Sequence, residues 1–284
     1  MNGPPRISAV VSLLLVSSAM APLLFGQAPQ ESPQAHANAQ TKGPTIIAHR
    51  GDSAARPENT IAAIRSAVAV KAEWIEFDVR SIRDGSLYLF HDADLKRFKK
   101  GKRKVATLTT NEVAELDVGT WFDPTYADQR APTLRAAIQA CLDGKTLPLI
   151  ERKTGTPEAY LKVIRELEAE SDVVLQSFDW AFLVKVREQA PTLRIGALHG
   201  KEMDETHWQR LAKLKPEWVG WNHEQLSKDL IARFHKEGFK VAVWTVNDEA
   251  AMRKFAGWQV DAIITDRPAA ARKAVTTSIP DAKR

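Results

Sequence analysis

The alternation that begins at Thr45 constrains this chain more than any other feature. Short runs rich in β-branched and aromatic residues recur at 45–48, 74–79, 147–151, 173–177, 194–198, 218–221, 240–244 and 262–265. Stretches with helical periodicity lie between most of them, at 59–70, 133–142, 157–169, 180–188, 205–214, 227–237 and 248–255, with Thr133 and Ser227 placed to cap two of them. Such alternation implies parallel strands joined by helical crossovers. Eight strands in 284 residues fit a TIM (β/α)8 barrel in length and count, with an open doubly wound sheet as the alternative.

One interval breaks the rhythm. About fifty residues separate the second strand from the helix at 133, and they hold a further β-rich run at 87–90. Asp84-Gly85 is a tight-turn signal, so this run is expected to form a hairpin with the second strand. The remainder, with Trp121, Phe122 and Tyr126, reads as a rim insertion after the second strand. It carries Lys96, Arg97, Lys99, Lys100, Lys102, Arg103 and Lys104, seven cations in nine residues. Charges that dense repel, so the loop is expected to stay extended and mobile and to contact an anionic surface; a merely solvated loop is the alternative.

Ahead of the barrel, Arg6 precedes a charge-free, largely apolar stretch at 7–30 with small residues near its end. Residues 1–28 therefore read as a secretory signal, with a retained anchor as the alternative. The polar, Gln-, Ala- and Pro-rich residues 29–43 read as a linker, 44–274 as the barrel domain and 275–284 as a flexible tail. The chain is expected to be exported, to a periplasm or the exterior. The lone Cys141 excludes an internal disulfide and any Cys-rich metal centre. The net charge of +5 is a modest excess, and no nucleic-acid-binding pattern accompanies it, so nucleic acid is not an expected partner.

In a barrel of this kind the C-terminal ends of the strands face the active site. The first strand ends in His49-Arg50-Gly51, the second holds Glu76-Phe77-Asp78, the extra strand runs into His91-Asp92, and the third barrel strand ends in Glu151-Arg152-Lys153. Strand alternation sends Glu76 and Asp78 to one face, and Glu151 and Lys153 likewise. Two neighbouring buried carboxylates are costly without a cation between them. With Glu151 as a third oxygen ligand, the set suits a hard ion, Ca²⁺ or Mg²⁺. The alternative is that these acids pair with Arg50, Arg80 or Lys153. His49 and His91 each end a strand beside a charged residue. Next to a metal, two histidines allow one to take a proton while the other donates one to a leaving alkoxide, and Arg50 and Lys153 suit phosphoryl oxygens. His199 and His223 follow strands and are weaker candidates for the pocket; His36, His207 and His235 read as surface or structural residues.

These motifs, with Pro57-Glu58-Asn59-Thr60, Asp84-Gly85, Gln176-Ser177-Phe178, Trp244-Thr245-Val246-Asn247 and Thr265-Asp266-Arg267-Pro268, occur in an order that resembles the glycerophosphodiester phosphodiesterases. The resemblance spans about 46–268 and implies a TIM barrel that hydrolyses glycerophosphodiesters to glycerol 3-phosphate and an alcohol. It implies that Glu76, Asp78 and Glu151 hold one divalent cation, that His49 and His91 act as acid and base, and that Arg50 and Lys153 contact phosphate. Glu58 would have a supporting or pocket-forming role, and Trp244 would line the substrate site. The Trp121-Phe122 stretch matches the family's insertion. A lysophospholipase D-type reaction on lysophospholipids is the alternative activity, and a non-catalytic barrel that binds phosphodiesters is a third reading. Arg152 departs from the family pattern, which has an apolar residue there. By alternation it should point to the helical layer and must snorkel or pair.

Overall fold

The computed structural model describes residues 43–276 together with Met1 and Gly3. Most of the expected signal segment, the linker up to 42 and the tail from 277 lie outside the described residues. Among the described residues no helix is long and apolar enough to cross a membrane.

The strands are β1 (Thr45–Ala48), β2 (Trp74–Ser81), β3 (Leu87–Leu89), β4 (Leu147–Arg152), β5 (Val174–Ser177), β6 (Arg194–His199), β7 (Trp218–Asn222), β8 (Lys240–Trp244) and β9 (Ala262–Thr265). The sheet runs β1-β9-β8-β7-β6-β5-β4-β2-β3, and a further parallel pairing of β1 with β2 closes it into the expected eight-stranded barrel. β3 is the exception: it pairs antiparallel with β2 in the expected hairpin, Val79 opposite Leu89.

The crossovers are α1 (Ile61–Ala69), α3 (Leu134–Asp143), α4 (Pro157–Glu166), α5 (Trp180–Gln189), α6 (Glu205–Leu214), α7 (Lys228–Lys236) and α8 (Glu249–Gly257); α2 (Thr110–Glu115) belongs to the insertion and α9 (Pro268–Thr276) follows β9. Each crossover starts at a side-chain cap. Thr60, Thr133, Thr156, Asp179, Asp204, Ser227 and Asp248 accept an otherwise orphaned backbone N–H. Each such cap contributes about 1 kcal/mol. Helix α9 extends past Ala274 to Thr276, the last described residue.

Alternation along the strands separates two cores. Ile75, Phe77 and Val79 face the helices and join Ile64, Leu134 and Ile138. Ile47, Leu149, Val174, Ala242, Ala262 and Ile264 fill the barrel interior together with Trp218. The polar residues lie above that apolar plug, at the C-terminal ends of the strands. Arg152 points outward as alternation requires, donating to the Gly155 carbonyl and to Asp179, with its guanidinium 4.6 Å from the Phe182 ring centre.

The insertion corrects one expectation: it is folded. Leu95, Val105, Leu108, Val113, Leu116 and Val118 form a small core of their own with Ile82, Tyr88 and Phe90. The seven cations are accommodated because several are paired. Arg97 meets Asp92 and Glu58, Arg103 meets Glu112, and Lys96 and Lys104 flank Asp94. Burial of this apolar set and local neutralisation outweigh the repulsion that would extend the chain.

Candidate active site

Glu76 and Asp78 stand two residues apart on β2, and Asp78 is in register with Glu151 on β4. All three are buried, and each offers an oxygen lying within 4.8 Å of the others'. Burial first, and then the neighbouring acids, push Glu76 well above the ordinary carboxylate range, and Glu151 is pushed up to about 7 by burial and by Asp78. Burial would raise Asp78 too, but Arg50 and Lys153 hold it below its usual value.

The competing reading, that cations neutralise these acids, is realised in part. Arg50 Nε lies 3.1 Å from Asp78 Oδ2, and Lys153 Nζ lies 3.1 Å from Asp78 Oδ1 and in contact with Glu151. Arg80 does not take part: its guanidinium donates to the His91 carbonyl. Arg50 is itself shared, since Nη1 meets Glu58 Oε1 at 3.0 Å. Three buried carboxylates thus face two cations, Lys153 and an Arg50 that is shared with Glu58. Glu76 Oε1 has no hydrogen-bond partner, and Asp78 Oδ1 and Glu151 Oε1 meet only the Lys153 ammonium, outside hydrogen-bond geometry. Unbalanced buried charge with accepting oxygens converging on one point fits a divalent cation.

Each histidine is held by a carboxylate. His49 Nδ1 lies 2.6 Å from Asp266 Oδ1, at the end of β9, and His91 Nδ1 lies 2.8 Å from Asp92 Oδ1. A carboxylate only accepts, so Nδ1 carries the proton and Nε2 is left to the site. His49 Nε2 is 4.0 Å from Glu76 Oε2. Burial holds His91 below the ordinary histidine range. Asp266 also accepts from Ser53 and from Asn247, and despite burial these bonds and His49 bring it to about 2.

The backbone that carries His49 and Arg50 turns sharply. Arg50 adopts φ 56° and its N–H donates to Glu76, while Gly51 adopts φ +85°. A Cβ at Gly51 would sit 2.6 Å from the Ala63 carbonyl carbon, so only glycine fits between this turn and α1. On the other side Asn59 clamps Asp78, donating from Nδ2 to Oδ2 and accepting the Asp78 N–H.

These groups open into one cavity of ≈ 190 Å³, lined by His49, Arg50, Glu76, His91, Glu151 and Lys153 on one side and by Gln176, Phe178, Leu198 and Trp244 on the other. Phe178 is half exposed at the mouth, edge-on to Trp244 at 5.6 Å between ring centres. Glu58 pairs with Arg50 and lies outside the cavity lining. His199 packs among Trp180, His207 and Trp221, and His223 turns to the Trp244 carbonyl, so neither lines the cavity. His207 and His235 pair with Asp204 and Asp261, and His36 lies outside the described residues.

Asp266 and Asn59 lie within the quoted motifs but carry no expected role, because their partners, His49 and Asp78, are distant in sequence. Asp92 is legible as the charged neighbour of His91.

A sequence model of the glycerophosphoryl diester phosphodiesterase family matches residues 49–270. A glycerophosphodiester phosphodiesterase of Caldanaerobacter subterraneus is 34% identical over 229 residues, which cover 78% of this chain and 94% of that protein. The structure of an Oleispira antarctica phosphodiesterase in complex with the product sn-glycerol-3-phosphate aligns with a TM-score of 0.78 at 26% identity, covering 82% of this chain and 97% of that one. A glycerophosphodiester phosphodiesterase of Agrobacterium tumefaciens aligns with a TM-score of 0.72 at 28% identity, covering 81% and 99%.

Proposed function

We propose that this chain, which belongs to the glycerophosphoryl diester phosphodiesterase family, hydrolyses glycerophosphodiesters to glycerol 3-phosphate and an alcohol with the help of one divalent cation. The supporting observation is one cavity lined by two carboxylate-held histidines, the cations Arg50 and Lys153, and Glu76 and Glu151, two of three clustered buried acids whose third member is Asp78.

Glu76, Asp78 and Glu151 hold the ion, and Ca²⁺ or Mg²⁺ matches their all-oxygen donor set. When bound, it adds positive charge against the phosphoryl oxygens. Arg50 offers its planar fork to the same oxygens, and Lys153 a point charge. His49 and His91 act through their Nε2 atoms. One, neutral, takes the proton of the attacking oxygen; the other starts as the imidazolium, protonated on both nitrogens beside its carboxylate, and gives its Nε2 proton to the alkoxide as the bond to phosphorus breaks. Asp266 and Asp92 fix the tautomer that makes this possible. Trp244 and Phe178 form the apolar wall against which the organic part of the diester rests.

Retention of both histidine–carboxylate pairs favours catalysis over a barrel that only binds. Soluble diesters are favoured over lysophospholipids because the cavity is small and, of the two large exposed apolar side chains among residues 43–276, Phe178 and Val184, just Phe178 lines it. Steady-state rates with glycerophosphocholine and with lysophosphatidylcholine test this. A higher kcat/KM for the lysolipid would move the assignment to the lysophospholipase D-type reaction.

Lys99, Lys100 and Lys102 are exposed on the insertion that follows His91. They support a contact with an anionic surface such as a phospholipid headgroup layer, each lysine contributing about 1 kcal/mol at such a surface. The charge-free stretch at 7–30 behind Arg6 supports export, which would place the enzyme where such surfaces and lipid-derived diesters occur.

A further inference from the structure

Arg97 is the one cation of the insertion that turns inward. Its Nε lies 3.0 Å from Asp92 Oδ2, and its Nη1 lies 3.2 Å from Glu58 Oε2. Those two carboxylates lead to different parts of the site. The second oxygen of Asp92 holds His91 Nδ1 at 2.8 Å, and the second oxygen of Glu58 holds Arg50 Nη1 at 3.0 Å. One guanidinium therefore ties the strap behind a proton-transferring histidine to the strap behind the phosphate-facing arginine. The guanidinium is itself held from outside. It lies 4.8 Å from the centre of the Trp121 ring, and Trp121 donates from Nε1 to the Val118 carbonyl in the small core of the insertion. The other histidine strap is built differently, since the second oxygen of Asp266 is fixed by the neutral amide of Asn247.

We infer that Arg97 is a positioning residue of this active site, through which the insertion sets both the His91–Asp92 pair and the Glu58–Arg50 pair. The inference rests on the catalytic reading of His91. It makes the insertion part of the catalytic apparatus even though none of its residues lines the cavity. The planar fork is needed because it meets two carboxylates at fixed angles, which one ammonium on a flexible stem does not do. A small misplacement of a proton-transferring group is costly in rate.

Arg97→Ala and Arg97→Gln are expected to lower kcat by roughly 10- to 100-fold and to raise KM through Arg50, with the thermal midpoint and divalent-ion binding close to wild type. Arg97→Lys should recover at most one of the two effects. A merely structural role would not produce two further results. In an Asp92→Asn background the Arg97 substitution should cause no additional loss of kcat, because the strap it acts through is already broken. Added guanidinium ion should restore turnover to Arg97→Ala but not to Asp92→Asn. The inference is overturned if a folded Arg97 variant keeps kcat and KM within about threefold of wild type, or if its loss multiplies undiminished with that of Asp92→Asn. Should Arg97→Ala fail to fold, Arg97→Lys decides, and wild-type kcat and KM in that variant overturn the inference. His91→Ala, measured alongside, separates the two ideas. Near wild-type turnover there removes the catalytic reading itself, whereas an inactive His91→Ala beside a fully active Arg97→Ala removes only the role of Arg97.

Discussion

Replacing Asp266 by asparagine probes the account at a single atom. Asp266 Oδ1 accepts from His49 Nδ1 and from Ser53, and Oδ2 accepts from Asn247 Nδ2. Asn247 cannot turn its amide round, because its Oδ1 already accepts from the Asp266 N–H and the Thr265 hydroxyl. The new amide must therefore aim its NH₂ either at Asn247, donor against donor, or at His49 Nδ1. The second choice forces the imidazole into the other tautomer, with the proton on Nε2, where it can no longer accept one. Loss of general acid–base catalysis from one histidine is worth roughly 10²- to 10⁴-fold in kcat, or about 3 to 5 kcal/mol of barrier. Steady-state kinetics on a soluble diester should show this drop with little change in KM. Stability should respond with a definite pH dependence. The folded-state pKa of Asp266, about 2, is depressed, so its contribution is present above the unfolded value of about 3.9 and fades as pH falls toward 2. The difference in unfolding free energy between wild type and Asp266→Asn should therefore be largest above pH ~4 and shrink below it. A folded variant with kcat within about threefold of wild type would refute the reasoning, since His49 would then work without its carboxylate.

Glu76→Gln, Asp78→Asn and Glu151→Gln should each weaken Ca²⁺ or Mg²⁺ binding at least roughly tenfold by calorimetry, with activity partly restored by more ion; unchanged affinity in all three would remove the proposed ligand set. Gly51→Ala adds a Cβ 2.6 Å from the Ala63 carbonyl carbon at φ +85°, so it should destabilise the fold by about 2–5 kcal/mol, read as a lower midpoint in thermal unfolding. Changing Lys99, Lys100 and Lys102 to serine should leave turnover of a soluble diester intact but reduce cosedimentation with anionic vesicles at low salt; equal binding by wild type and variant, or none by either, would end the anionic-surface proposal.

The barrel was legible because parallel strands covered on both faces show up as near-continuous apolar runs, and β4 through β9 all have that form. The acids stood out for the same reason, since Glu76 and Asp78 interrupt such a run on its inward face. Arg152 followed from the same alternation. The straps behind the histidines were not legible: His49 and Asp266 are 217 residues apart, and only closure of β9 against β1 brings them together. The insertion misled because its cations are dense and its apolar residues, Leu95 with Phe98 and Val105 with Leu108, come as two separated pairs, too short a pattern to mark an element. A local signal was nevertheless present, since Thr109 and Glu112 form the capping box that starts α2. Helix α9 carried another in Pro268 at its first position.

This barrel is expected to break one particular bond, between phosphorus and the oxygen of the alcohol, and to need a divalent ion to do so. Phosphorus NMR of glycerophosphocholine incubated with the purified chain reads this directly, with Ca²⁺, Mg²⁺ or excess chelator. Glycerol 3-phosphate should accumulate with the ion and not with the chelator, and His91→Ala should abolish it. Release of phosphocholine in place of glycerol 3-phosphate, or undiminished turnover in chelator, would contradict the account.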